Sequence, residues 1–248
     1  MILIFCAFGG EYGPLRARLR NPVNLDGGLR GARGELSGRA ATIVVSGVGL
    51  RRARETAARA FATIAGIDTV ILTGVAGALH GDLKIGGVVI GERLTLRREL
   101  EFAAAHTIEV APELVEKLAT ALRRVGIDHM RGTILTSRRA IATAADKLRA
   151  QGAFDAIAVD MESAVIADEA TRRGLPFICV RTIMDTAAQN LEGAMLADDD
   201  GRVRVLKATR ALIGNPRMIG ASIRLLRNLR VATAAMVEAV EAVAAHRD

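Results

Sequence analysis

Three stretches of the chain place reactive side chains where a strand is expected to end. The first is Asp160-Met161-Glu162, after the apolar run Ala156-Ile157-Ala158-Val159. Two carboxylates flank a methionine where the pattern turns from strand to helix. Such acids either cap a helix N-terminus, where negative charge is favoured, or serve a ligand at the carboxyl end of a strand. The second is Arg181-Thr182-Ile183-Met184-Asp185, which continues Phe177-Ile178-Cys179-Val180. Strand alternation puts Arg181, Ile183 and Asp185 on one side. A guanidinium in so apolar a strand needs a carboxylate, and Glu162 or Asp160 is the expected partner; a purely structural ion pair is the alternative. The third is a pair of glycine turns, Ser46-Gly47-Val48-Gly49 and Thr73-Gly74-Val75-Ala76-Gly77. Glycine lets backbone amides approach an anion or a sugar closely. Neither turn is a P-loop or a dinucleotide fingerprint. His80, His106, His129 and His246 are scattered, so no metal site is expected. Cys6 and Cys179 sit in separate apolar runs and read as reduced core thiols.

The elements that must position these residues follow from short apolar, β-branched runs alternating with longer helical patterns. Strands are expected at 2–8, 41–46, 69–73, 87–94, 131–135, 155–160 and 176–183, and helices at 51–65, 112–125, 143–151 and 161–173. Residues 21–40, rich in Gly and Arg, read as a loop or twisted hairpin. The fold class is α/β: one domain spanning 1–248, with a mixed, largely parallel central sheet flanked by helices. After residue 184 the pattern changes. A polar lid-like loop is expected over 185–201, then helices near 202–213, 216–230 and 231–246. On the projection of 216–230, Met218, Ile219, Ile223, Leu225, Leu226 and Leu229 form one apolar arc flanked by Arg217, Arg224 and Arg227.

Composition narrows the function. The chain has 248 residues, is half hydrophobic with a mean hydropathy of +0.26, and carries a net charge of +7. Disorder is excluded, and one Tyr, six Phe and no Trp argue against base-stacking nucleic-acid binding. Residues 202–230 hold eight arginines and lysines and no acid, so the basic surplus belongs to the helical C-terminal segment 202–248. That segment either packs on the core or touches a membrane surface. There is no run of 18 apolar residues, and Met1–Cys6 reads as a first strand and not as a signal peptide. A cytoplasmic protein is expected.

The stretch AVDMESAVIADEATRRGLPFICVRTIMDTA, with TGVAGAL and SGVG upstream, resembles the purine nucleoside phosphorylase and methylthioadenosine/adenosylhomocysteine nucleosidase superfamily. The resemblance covers most of the chain. The tail DGRVRVLKATRALIGNPRMIGASIRLLRNLR resembles the hopanoid-associated phosphorylase branch, associated with releasing adenine from adenosylhopane. The function implied is cleavage of an adenine nucleoside's N-glycosidic bond, by water or by phosphate as co-substrate, with no other cofactor. An ordinary methylthioadenosine/adenosylhomocysteine nucleosidase or a salvage phosphorylase is the alternative. A homo-oligomer, a lipid-linked nucleoside substrate and peripheral contact with the inner membrane surface are also implied.

Roles follow by position. Asp185 matches the acid that protonates or hydrogen-bonds the purine imidazole ring, so burial should raise its pKa and Arg181 should temper the rise. Glu162 matches the carboxylate that grips the ribose hydroxyls, Met161 the residue on the ribose face, Glu11 the acid that activates water, and Ile141 the backbone contact to adenine. Gly49, Gly74 and Val75 line the sugar and nucleophile side. Three positions depart from the pattern. Ala140 stands where nucleosidases carry an aromatic, so stacking must come from elsewhere, with Phe8 the candidate. Val75 stands where a serine is usual. The strand Val70-Ile71-Leu72-Thr73 lacks the arginine of hexameric phosphorylases. GPLRAR (13–18) resembles their phosphate loop, and Arg16, Arg51 or Arg52 is then the group that would reach an oxyanion. Hydrolysis is the favoured reading, because Glu11 would repel phosphate.

Overall fold

A computed structural model describes residues 1–97, 104–191 and 216–246. Its spine is β1 (Ile2–Cys6), whose five residues are all buried. It is flanked in parallel by β4 (Arg39–Val45) and β5 (Thr69–Ala78). A strand covered on both faces reads as a continuous apolar run, which is why ILIFC is legible. Outside β4, the antiparallel strands β2 (Arg20–Asn24) and β3 (Gly31–Leu36) form the expected twisted hairpin and end the sheet.

On the other side the sheet curls. β5 pairs with β9 (Ala156–Asp160) and also with β10 (Phe177–Asp185). β9 pairs with β8 (His129–Thr136), β8 with β6 (Val88–Arg97), and β6 returns to β10. Five strands thus close a ring, with β7 (Ala104–Glu109) attached to β6. Among the described strands the pairings divide evenly, five parallel and five antiparallel, so the sheet is less parallel than expected.

Helices α2 (Leu50–Thr63), α3 (Pro112–Arg124), α4 (Ala144–Phe154) and α5 (Ser163–Thr171) match the expected ones within a few residues. Strand β7 and helix α1 (Gly9–Arg16) do not appear in the sequence reading. Gly9, Gly10, Gly13 and Pro14 disfavour a helix locally, and burial of Glu11 and Leu15 overrides that preference. Thr73–Gly77 is not a turn: β5 continues through it to Ala78. The two helices expected at 216–230 and 231–246 are one, α6 (Pro216–Ala245). It packs on β10, β5 and α1, and Thr182 Oγ1 donates to the Ala232 carbonyl at 2.9 Å. The expected apolar arc is split. Leu225 faces the core, whereas Ile223 and Leu226 are 62% and 52% exposed. The expected helix 202–213 and most of the expected lid, from residue 192 on, lie outside the described residues. Among the described residues no helix is long and apolar enough to cross a membrane.

Candidate active site

The carboxyl ends of β1, β5, β9 and β10 converge on a cavity of about 150 Å³. Its wall takes Ala7, Phe8 and Glu11 from the β1–α1 junction, Val75 to Gly77 from β5, Val159 and Asp160 from β9, Met161 and Glu162 from the β9–α5 junction, and Met184 and Asp185 from β10. Val48, Ala140, Ile141 and Leu191 complete it. Most of the lining is apolar, and its charged members are all carboxylates.

Behind the cavity lies Arg181, one of the largest fully buried side chains. Its Nη2 pairs with Asp160 Oδ2 at 2.7 Å, its Nε and Nη2 donate to Ser163 Oγ, and its Nη1 donates to the Thr73 carbonyl at 2.8 Å. Asp160 is held in turn by the Thr136 hydroxyl and the Ser163 N–H. Asp160, not Glu162, is therefore the partner the sequence demanded. Burial opposes the arginine's charge, but the Asp160 carboxylate more than restores it and holds the pKa above the usual value.

Glu11 is buried, and its carboxylate accepts the N–H groups of Ala7 at 2.6 Å and Val75 at 2.8 Å. Burial raises its pKa, more than Arg181 and these amides lower it. Gly74, with φ +143°, makes the arrangement possible. A Cβ there would strike Arg181 Nη1 and lie 2.7 Å from Glu11 Oε1. This close approach explains why a glycine-rich segment persists inside β5.

Glu162 Oε1 accepts the Gly49 N–H at 2.8 Å. Gly49 caps α2 with φ +91°, so the carboxylate sits at that helix's N-terminus. Burial first, then the Asp160 charge, still push Glu162 up to about 8. Asp185 pairs with Lys147 of α4, a fully buried side chain. Burial raises the Asp185 pKa and Lys147 tempers it. The tempering cation is therefore Lys147, and the expected role of Arg181 toward Asp185 is corrected. Nor does simple alternation hold to the end of β10. Its register against β5 shifts between Ile183 and Asp185, and both Met184 and Asp185 line the cavity.

Of the residues singled out from sequence, Phe8, Glu11, Val75, Ile141, Met161, Glu162 and Asp185 line the cavity, with Gly49, Gly74 and Arg181 directly behind it. Arg16 turns instead to Asn24 and Arg51 to Glu55, and neither they nor Arg52 line the cavity. Lys147 is the residue sequence reasoning missed. Its one signal was rarity, for the chain has four lysines against thirty arginines. Among the described residues no cluster of His, Cys, Asp and Glu could hold a metal ion. The arrangement offers a buried acid able to donate a proton (Asp185), a carboxyl placed to meet hydroxyls (Glu162), and a second carboxyl beside a backbone amide (Glu11).

The phosphorylase superfamily model matches residues 1–213. Among solved structures, the chain is similar to the 5′-methylthioadenosine/S-adenosylhomocysteine nucleosidase of Neisseria meningitidis in complex with methylthio-immucillin-A, at 22% identity, TM-score 0.78 and 98% coverage of both chains. It is similar to the S-adenosylhomocysteine nucleosidase of Streptococcus pyogenes at 23% identity and TM-score 0.77, covering 98% of this chain and 95% of that one. It also resembles the futalosine hydrolase of Helicobacter pylori at 19% identity and TM-score 0.73, covering 98% and 96%. These likenesses establish a shared fold over 98% of the chain. The match over residues 1–213 shows that this chain belongs to the phosphorylase superfamily.

Proposed function

We propose that the enzyme hydrolyses the N-ribosidic bond of an adenine nucleoside, and that its substrate is adenosylhopane. The observation that carries the bond-cleavage reading is the convergence of Glu11, Glu162 and Asp185 on one buried cavity, each with a raised pKa. Bond cleavage makes the sugar cation-like and the purine anion-like. Asp185, whose burial favours the protonated form, gives its proton to an imidazole-ring nitrogen of the leaving adenine. Glu162 binds the ribose hydroxyls, and Met161 packs on the ribose face. In its ionised form Glu162 favours the oxocarbenium-like sugar by its charge. Glu11 takes a proton from water as the water attacks C1′. Phe8 and Ile141 hold the base. Water suits the cavity better than phosphate does. The charged residues of its wall are carboxylates, and Arg181 is already engaged by Asp160, Ser163 and Thr73.

The hopanoid assignment rests on the resemblance of the tail, and the described part of α6 is compatible with it. There, exposed Ile223 and Leu226 lie beside exposed Arg224, Arg227 and Arg230, a face suited to an anionic membrane surface where a lipid-linked nucleoside is met. The enzyme acts as a cytoplasmic homo-oligomer at that surface. The second reading, cleavage of methylthioadenosine or adenosylhomocysteine, is favoured by the whole-chain likeness to nucleosidases of those substrates.

The experiment is incubation with adenosylhopane and with methylthioadenosine, each with and without phosphate. Adenine release is followed and the sugar product weighed. Free ribosyl product from adenosylhopane, independent of phosphate, is expected. Release from methylthioadenosine alone refutes the hopanoid assignment, and a ribose phosphate refutes hydrolysis.

A further inference from the structure

Lys147 is used by nothing in the mechanism above, yet it is completely buried. A buried ammonium is costly unless every proton meets an acceptor, and here all three do. Nζ donates to Asp185 Oδ2, to the Thr186 carbonyl at 2.7 Å and to the Gln189 carbonyl at 3.1 Å. A compact ammonium suits three converging acceptors, whereas a planar guanidinium does not, so a lysine stands here in an arginine-rich chain. The same two segments are tied twice more. The Leu191 N–H donates to the Ala142 carbonyl and the Ala144 N–H to Asn190 Oδ1, both at 2.8 Å. Ile141 and Leu191, at the ends of this seam, line the cavity.

We propose that Lys147 is the positioning residue of the proton donor: it anchors Asp185 Oδ2 so that Oδ1 meets the purine, and its charge holds the carboxylate that remains once the proton has left. The inference rests on the role given to Asp185 above. In the step, the Asp185 O–H bond breaks and an N–H bond forms on the purine ring. The C1′–N9 electron pair goes to the base, the water oxygen bonds to C1′, and the water proton goes to Glu11. Lys147 keeps all its protons. The other charged groups around the cavity do not substitute for it. Glu11, Asp160 and Glu162 are acids, Arg181 is paired with Asp160, and Asp146 on the same helix is half-buried and paired with Arg149.

The test compares Lys147→Met, Lys147→Arg, Asp185→Asn and the double variant Lys147→Met/Asp185→Asn, with adenosylhopane and methylthioadenosine as probes. The Asp185 carboxyl is titrated by ¹³C NMR, its signal identified by loss in Asp185→Asn. Lys147 favours the ionised carboxylate, so its loss lets Asp185 keep its proton to higher pH. Lys147→Met is expected to move the Asp185 midpoint up by at least one pH unit. Its kcat should fall roughly 10- to 100-fold with KM within threefold. The double variant should be no slower than Asp185→Asn alone. Lys147→Arg, which keeps the charge and disturbs the anchoring, should hold the midpoint near wild type while kcat falls. An unmoved midpoint in Lys147→Met, or a double variant slower by the product of the two single effects, overturns the proposal. If Lys147→Met does not fold, a Lys147→Arg midpoint displaced as by charge loss, or an unchanged kcat in that variant, overturns it. Full turnover in Asp185→Asn would instead refute the role of Asp185 itself.

Discussion

Glu162→Gln should produce a protein that is less active and, in alkali, more stable. Glu162 is nearly isosteric with glutamine, and the Gly49 N–H it accepts can be accepted equally by the amide oxygen. In the folded protein its pKa stands at about 8 against an ordinary 4.5, because burial and then Asp160 penalise the ionised form. A pKa raised by folding contributes stability that is fully present below the unfolded value and lost as pH rises through the folded one. At about 1.4 kcal/mol per pH unit, that displacement corresponds to roughly 3–5 kcal/mol lost by the wild type between pH 4.5 and pH 8. Glutamine has no proton to lose. Glu11 and Asp185 shift in the same direction but are common to both proteins, so they cancel in the difference. The assay is the thermal midpoint of each protein at half-unit steps from pH 4.5 to 9. At about 2–4 °C per kcal/mol for a chain of this size, the variant should gain roughly 6–20 °C over wild type across that range. The gain should level off above pH 8, and adenine release should fall. Parallel melting profiles would refute the placement of Glu162 as a buried acid that folding keeps protonated.

Arg181→Met strands the Asp160 carboxylate in the interior and should cost about 3–5 kcal/mol, read as a depressed urea midpoint; a midpoint unchanged from wild type would contradict the buried pair. Gly74→Ala forces a side chain into a φ of +143° and against Arg181 and Glu11, so it should destabilise by at least about 2 kcal/mol and abolish turnover. A fully active, stable Gly74→Ala enzyme would show that the close approach is not required. Glu11→Gln turns an NH₂ group toward one of the two backbone amides it accepts, costing about 1–3 kcal/mol. It also removes the acceptor for the water proton, so single-turnover adenine release should slow by about 10²–10⁴-fold. Equal rates would remove Glu11 from the mechanism.

The strand ends were the legible part of the molecule because they obey local rules. A guanidinium between Val180 and Thr182 has to find a carboxylate wherever the chain goes, and the continuous apolar runs of β1 and β10 mark strands covered on both faces. The hidden parts depend on distant partners. Gly74 and Gly77 suggest a turn by composition, yet pairing with β10 and β9 extends β5 through both. Helix α1 forms against its glycines and Pro14 because Glu11 and Leu15 are buried once β1 and β5 are in place. Lys147 hides for a related reason: in Thr143-Ala144-Ala145-Asp146-Lys147-Leu148 a lysine reads as the polar face of a helix, whereas here it is Leu148 that is 68% exposed. Only the seam to Thr186 and Gln189 inverts that face.

The closed ring of five strands also sets when the site can first exist during synthesis. β10 is the last of the described strands, and it joins β5 to β6. Until it has left the ribosome, Asp160 lacks its cation and the cavity lacks the wall that carries Asp185. A nascent chain ending before Phe177 therefore holds Glu11, Asp160 and Glu162 without the Arg181 charge that offsets their burial. Such intermediates, rich in unpaired strand edges, are prone to association. The chemistry and the closing of the fold depend on the same last strand, so a truncated product has neither the cavity nor a finished sheet.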